Sequence, residues 1–311
     1  MKSLVSAHFD ITAMNIIAII LPIFFSLGIG MLCRKKTILS RDSIEAVKKV
    51  AVNITLPAVT LASFAEADYS LKTMLVPAWI FLCCCAALAL GALLVRALHI
   101  PGKMTAYLCT GFEGGMLGFT LYPLLYGTRA PFAIVDMGQV FFVFSIYKVL
   151  LSGAKGKKAL LREAAHSPSL WALFLGVLIG ATGFYRRMEP SGLQHVLSSL
   201  LNFVSAPTSF LILLSVGYDL QPSEISWKQT LSAIGCRLAI MGLLLAATLT
   251  LNRYVLDGIM DPSATILLFA LPAPFVLPVF ANDPDERGYL SSTLSVMTMI
   301  TILIFCIMAA A

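Results

Sequence analysis

Ten stretches of this chain run for about a bilayer's width with hardly a charge among them. They fall at roughly 13–33, 46–65, 73–96, 104–126, 131–151, 168–185, 193–218, 229–251, 263–281 and 288–310. About 20 apolar residues of α-helix cross the hydrocarbon core of a membrane. The runs are continuously apolar and do not alternate with a period of two, so the predicted spanning element is the helix and not the β-strand. Composition points the same way: 59% of the 311 residues are hydrophobic and 12% charged, with a mean hydropathy of +0.89. A soluble domain carries about 25% charged residues. A free soluble globule is therefore excluded, and the short loops leave no room for a sizeable soluble domain. The expected fold class is all-α integral membrane protein.

The first stretch ends in Arg34-Lys35-Lys36, a stop-transfer flank, so it reads as a retained span and not a signal peptide. With the N-terminus outside, 14 Lys and Arg fall in inner loops and 6 in outer segments, Arg186-Arg187 being the main exception. Basic residues favour the inner side, so both termini are predicted outside a multi-pass cell-membrane protein. The net charge of +6 lies mostly in these loops, and no dense basic tract interleaved with aromatics suggests nucleic acid. The seven cysteines fall in or beside apolar runs, and Cys83, Cys84 and Cys85 lack metal-ligand spacing. His8, His99, His166 and His195 offer no ligand pair either, so neither a metal nor another cofactor is expected.

The longest polar connection, residues 152–167, divides the chain near its middle. Each half carries matching punctuation. Asn53 precedes Pro57 in the second span, and Asn202 precedes Pro207 in the seventh; Pro123 falls in the fourth and Pro278 in the ninth. Five spans per half is an odd number, so the second copy must sit upside down. The prediction is two inverted five-helix repeats, 1–151 and 168–311, joined by a cytoplasmic linker at 152–167. Asn53 and Asn202 are expected to satisfy backbone groups freed by the prolines after them.

Chemistry concentrates in two spans. Pro272, Pro274 and Pro278 fall within seven residues of span nine, and each removes a backbone donor. The segment is expected to unwind, either as a kink used for packing or as the lining of a wet cavity. Span four reads Gly111-Phe-Glu-Gly-Gly-Met-Leu-Gly118. Its small-xxx-small pairs allow close helix approach and also ease a break. Glu113 is the anomaly there, because a carboxylate at mid-membrane costs about 2.5–3.5 kcal/mol on insertion scales. It is expected to be protonated, paired or facing water. Arg237 in span eight lies at a similar depth, so it either pairs with Glu113, holds a substrate carboxylate, or snorkels. Asp136 and Gln139 share one face of span five, nearer the outside, and either line an access path or bond a neighbouring helix. No Ser, Cys or His cluster resembles a hydrolytic centre, so an enzyme is not expected.

Several segments together resemble the auxin efflux carrier family, including its bacterial malate- and malonate-permease-like members. These are Asn53-Ile-Thr-Leu-Pro57-Ala58, Ala206-Pro207 through Gly217-Tyr-Asp-Leu220, Ala270-Leu271-Pro272 continued by Val279-Phe280-Ala281, Gly118-Phe-Thr-Leu121 up to Tyr126-Gly127, and Ser167-Pro168. The resemblance covers nearly the whole chain. It implies a scaffold of spans one, two, six and seven, and a transport core of spans three to five and eight to ten. Broken helices four and nine would cross at the site, with alternating access by movement of core against scaffold. In the family pattern an asparagine normally stands at Glu113 and a proline at Thr120, and often an asparagine at Val276. An acid at Glu113 repels an anion unless it is protonated or offset by Arg237.

The sequence thus leads to a secondary transporter for a small organic acid anion, dicarboxylate-like, within the lipid bilayer. The expected binding residues are Glu113, Gly114, Gly115, Thr120, Asp136, Gln139, Arg237, Pro272, Val276 and Pro278. Asn53, Pro57, Pro123, Asn202 and Pro207 are expected to shape crossover and scaffold. Half-helix N-termini would face a carboxylate. A proton or sodium ion is the coupling ion left open, and a homodimer is left open as the assembly. The rival readings are a sodium-coupled symporter of the bile-acid-symporter type and a non-transporting membrane receptor.

Overall fold

The computed structural model describes residues 2–67, 69–70, 72–102, 104–152, 166–219, 226–281 and 283–310, with side chains from residue 17 onward save 19 and 284. Most of the linker predicted at 152–167 lies outside the described residues. Those that are described form helices and connecting turns with no strand. In chain order the helices are α1 (Lys2–Lys35), α2 (Arg41–Glu66), α3 (Leu75–Ala97), α4 (Phe119–Tyr126), α5 (Ala130–Leu151), α6 (Pro168–Ala181), α7 (Leu193–Asp219), α8 (Trp227–Tyr254), α9 (Pro262–Ala270) and α10 (Pro284–Ala310).

Among the described residues, six of these are each long and apolar enough to cross a membrane: α2, α3, α5, α7, α8 and α10. A seventh crossing exists if α6 and Phe184–Ser191, bent by 65°, count as one span. The molecule is therefore an integral membrane protein. Spans four and nine are not continuous helices. A 3₁₀ turn at Thr105–Cys109 gives way to extended chain through Glu113, then a π turn at Gly114–Gly118 leads into α4. On the other side α9 stops at Ala270, and extended residues run to a 3₁₀ turn at Leu277–Phe280. The stops follow from sequence: Pro272 and Pro274 supply no donor to the turn before them, and Gly111 takes the left-handed φ of 67° that a side chain resists.

Two packing groups surround these breaks. In one, α1 lies on the 208–219 half of α7, and α6 lies on the 56–66 half of α2. Glycines set the first contact: a Cβ on Gly30 would overlap Leu214 O, and one on Gly217 would overlap the Leu27 backbone. Gly176 and Gly180 likewise lie against Leu61–Ala65 of α2, which explains the Gly-xxx-Gly spacing of α6. In the other group, α3, α5, α8, α9 and α10 pack on one another. Most of the apolar core sits there, around Ile80, Leu108, Phe142, Ala233, Leu267 and Phe305.

Pro57 is absorbed by a π turn over Ala51–Thr55, in which Leu56 N donates to Ala51 O. In that register the missing Pro57 donor would have served Val52 O. The expectation for Asn53 needs correcting: its Nδ2 donates to Lys49 O at 2.9 Å, while Ser169 Oγ from α6 donates to Val52 O at 3.2 Å. The same holds for Asn202, whose Nδ2 donates to Ser198 Oγ at 3.3 Å. Within α7 the regular turns of Leu193–Ser205 give way at Ala206-Pro207 before Thr208–Asp219 resumes, and the Asn202 side chain is not turned to that break. Pro123 lies inside α4, and its carbonyl accepts from Gly127 N at 2.9 Å where the helix turns out.

Candidate functional site: two broken helices stitched by one cation and one carboxylate

The extended stretches of spans four and nine touch. Glu113 N donates to Pro272 O at 2.9 Å, and a Cβ on Gly111 would stand 2.9 Å from Pro274 Cγ. Breaking two helices at one level leaves carbonyls at the two stopping ends and amides at the two starting ends, with no intrahelical partners. In lipid each such group costs several kcal/mol unless the protein satisfies it. The sequence places one charged residue on each set.

The carbonyl ends belong to Arg237. It is 3% exposed in the middle of α8. Its Nη1 donates to Leu108 O at 2.8 Å and Thr110 O at 3.4 Å, and its Nη2 to Gly111 O and Leu271 O, both at 2.8 Å. One guanidinium thus closes both breaks, its planar fork matching donors to several acceptors at once. Phe112 lies under it, the ring centroid 5.7 Å from Cζ, and meets Phe269 edge-on at 5.2 Å. Thr301 Oγ1 of α10 completes the set with Ala270 O at 2.6 Å. A cavity of about 20 Å³ beside Arg237 has room for a single water.

The amide ends belong to Glu113. Its Oε1 accepts from Met116 N at 3.2 Å, as an N-cap on the helical stretch beginning at Gly114. Its Oε2 accepts from Phe275 N at 2.6 Å in the opposite break. Unlike Arg237, Glu113 is only partly buried. Leu56, just past the π turn of α2, faces this side: a Cβ on Gly115 would lie 3.6 Å from Leu56 Cδ2 and 3.9 Å from Glu113 Oε1. The carboxylate therefore lies where the two packing groups meet. Among the described residues no ion pair joins it to Arg237; each charge is spent on backbone.

Asp136 and Gln139 come to the same place. Depth counted along α5 puts them nearer the outside; in the structure Asp136 lies against Gly114, with Cγ 2.6 Å from where a Cβ would stand. The broken strand is extended, so counting at helical rise misplaces its level. Gln139 Nε2 donates to Asp136 Oδ1 at 3.0 Å. Gly118 packs on Phe132 of the same helix. Thr120 is 1% exposed and turned inward, its Oγ1 donating to Met116 O at 2.6 Å, so it serves its own helix. Val276 and Pro278 are partly exposed beside Phe275 on the turn after the ninth break.

Residue types alone did not pick out several working groups. Phe275 acts through its backbone N–H, which every non-proline residue has. Thr301 and Thr110 (Oγ1 to Cys84 O, 2.6 Å) look like ordinary helix threonines. Asn252 clamps the α8–α9 turn through both Met260 N and Met260 O, at 2.9 and 2.8 Å. A second cavity of about 370 Å³ lies at the loop ends of α2 and α6, lined by Glu66, Tyr69, Tyr185 and Gln194 among others. Burial pushes the Tyr69 phenol up, keeping it a donor to Phe64 O at 2.8 Å.

Comparison with known sequences finds transport proteins. A protein of Methanocaldococcus jannaschii, named only as an uncharacterized transporter, is 25% identical over 225 residues, covering 67% of this chain and 70% of its own. An uncharacterized transporter of Methanothermobacter thermautotrophicus is 22% identical over 297 residues, 91% of this chain and 94% of its own. The family described as "Membrane transport protein" matches residues 153–310, half of the chain including the ninth-span break and Arg237. The chain belongs to that family, the auxin efflux carrier family, and is a membrane transporter and not an enzyme.

Proposed function

We propose that this protein is a secondary transporter that moves a small organic acid anion by alternating access, with the solute carboxylate bound at the crossed breaks. One observation carries the reading: a carboxylate already sits there. Glu113 occupies Met116 N of one break and Phe275 N of the other while remaining partly exposed. Two backbone amides turned to one carboxylate, one from each break, form a ready anion seat. When ionised, Glu113 fills the seat. When protonated it accepts these bonds only weakly, and a solute carboxylate replaces it without adding charge to the membrane. Asp136 is its charged neighbour, and Tyr147 lies within electrostatic reach. Low pH thus favours anion binding, and transport by this scheme carries a proton with the anion.

The ten-helix plan of two inverted repeats belongs to the same proposal. Exchanging the halves would map α1 on α7 onto α6 on α2, and the fourth break onto the ninth; the presence of both helix contacts supports this plan. On this plan α1, α2, α6 and α7 form the frame and the remaining helices the moving core, in a cell membrane with both termini outside. The test is uptake of labelled malate, malonate and related acids into proteoliposomes under an imposed pH gradient. The expected result is acid-stimulated uptake by wild type and a flat pH profile for Glu113→Gln. Binding without flux across the panel, or a Glu113→Gln profile identical to wild type, overturns the reading.

A further inference from the structure

Charge accounting at the breaks does not close. Arg237 contributes one positive charge, Glu113 and Asp136 two negative ones, and among the described residues no lysine or other arginine makes an ion pair with either acid. Asp136 is 1% exposed and Gln139 4%. Asp136 receives the Gln139 amide and has Glu113 and the Cys84 thiol as electrostatic neighbours, neither of them positive. Gln139 Oε1 is buried with no hydrogen-bond partner, one of two such side-chain atoms among the described residues. A buried orphan acceptor beside an unpaired buried carboxylate calls for a positive guest.

We propose that Asp136 and Gln139 form the seat of a single alkali cation, of sodium size, beside the first break. A proton is the rival guest: on the second carboxyl oxygen it can donate to Oε1 while Nε2 still donates to Oδ1, and the pH arm of the test separates the two. A hard cation takes the carboxylate and the amide oxygen together, as its all-oxygen preference requires. It also restores neutrality: one cation and Arg237 against Glu113 and Asp136. Gly114 is what admits the carboxylate, since a Cβ there would overlap Asp136 Oδ1. Because Gly114 follows Glu113 directly, cation occupancy steadies the stretch that carries the Met116 amide. That coupling to solute rests on the transport reading above; the binding of the cation does not.

The test uses the full-length protein in detergent, with thermal unfolding followed as sodium chloride replaces choline chloride at constant ionic strength, at acid and alkaline pH. A ligand bound only by the folded form raises the unfolding temperature with its concentration. Wild type should show a sodium-specific rise. Asp136→Asn should abolish it, and Gln139→Leu should move its midpoint to higher sodium by about tenfold, the loss expected for one charge-assisted contact. Both variants should unfold cooperatively in choline. Should Asp136→Asn fail to fold, carbodiimide modification of Asp136 in wild type, read by peptide mass spectrometry, replaces it, and sodium should protect. Equal unfolding temperatures in sodium and choline, a response to pH alone, or a full sodium rise in Asp136→Asn overturn the proposal. Sodium binding without uptake of any acid upholds this site and sinks the transport reading; acid-driven uptake with no sodium effect does the reverse.

Discussion

The two sides of the crossed breaks solve the same problem with opposite temperaments. On the carbonyl side Arg237 is 3% exposed, makes four bonds to backbone and keeps its charge at any ordinary pH. On the amide side Glu113 makes two bonds, is partly exposed, and is of a type that gains a proton. A group that cannot be neutralised or displaced is a rivet. One that is partly exposed, and on the proposed reading competes with a solute carboxylate for its partners, is an occupant. On the transport reading proposed above, the difference puts the solute among the amides and not beside the arginine, although a basic residue is the natural first choice for an anion.

The comparison breaks if the arginine side tolerates change. Arg237→Met should cost about 4 kcal/mol or more, because four carbonyls lose a charge-assisted donor together. Loss of monodisperse protein on size-exclusion chromatography is the expected outcome, and a well-folded variant would make Arg237 a solute ligand after all. Next in size is Gly111→Ala. Its φ of 67° and the 2.9 Å approach to Pro274 Cγ should cost about 2 kcal/mol in thermal unfolding, without altering pH dependence. Thr301→Val removes the donor to Ala270 O and should cost about 1 kcal/mol. Glu113→Gln sharpens the contrast from the other side. Glutamine offers one oxygen where the carboxylate offers two, so one of the two amides loses its acceptor and stability should fall by about 1 kcal/mol. The pH dependence of uptake should vanish nonetheless, since the side chain is fixed in the uncharged form that frees the seat. Thr120→Ala should change stability by a few tenths of a kcal/mol, roughly the worth of a redundant in-helix bond, and transport not at all.

Much of this was readable from residues. Three prolines in seven positions, and glycines flanking a lone mid-membrane glutamate, marked both breaks, and Glu113 and Arg237 stood out as charges in lipid. Their partners were not readable. Counting along a helix gives depth but not direction, so Arg237 looked available to Glu113 when its guanidinium is turned to carbonyls. Asp136 was set too far outward because the strand beside it is extended. Asn53 looked like the natural repair for Pro57, but the π turn shifts the register by one residue, and the hydroxyl of Ser169 comes from a helix more than a hundred residues away.

The seam between α1 and α7 has a mechanical corollary. With Gly30 against Leu214 O and Gly217 against Leu27, main chain meets main chain with no side chain between to act as a bearing. Surfaces that mesh this way neither slide nor roll without first separating. In any rearrangement of this molecule α1 and α7 therefore shift as one body, the backbone of one keyed into the other.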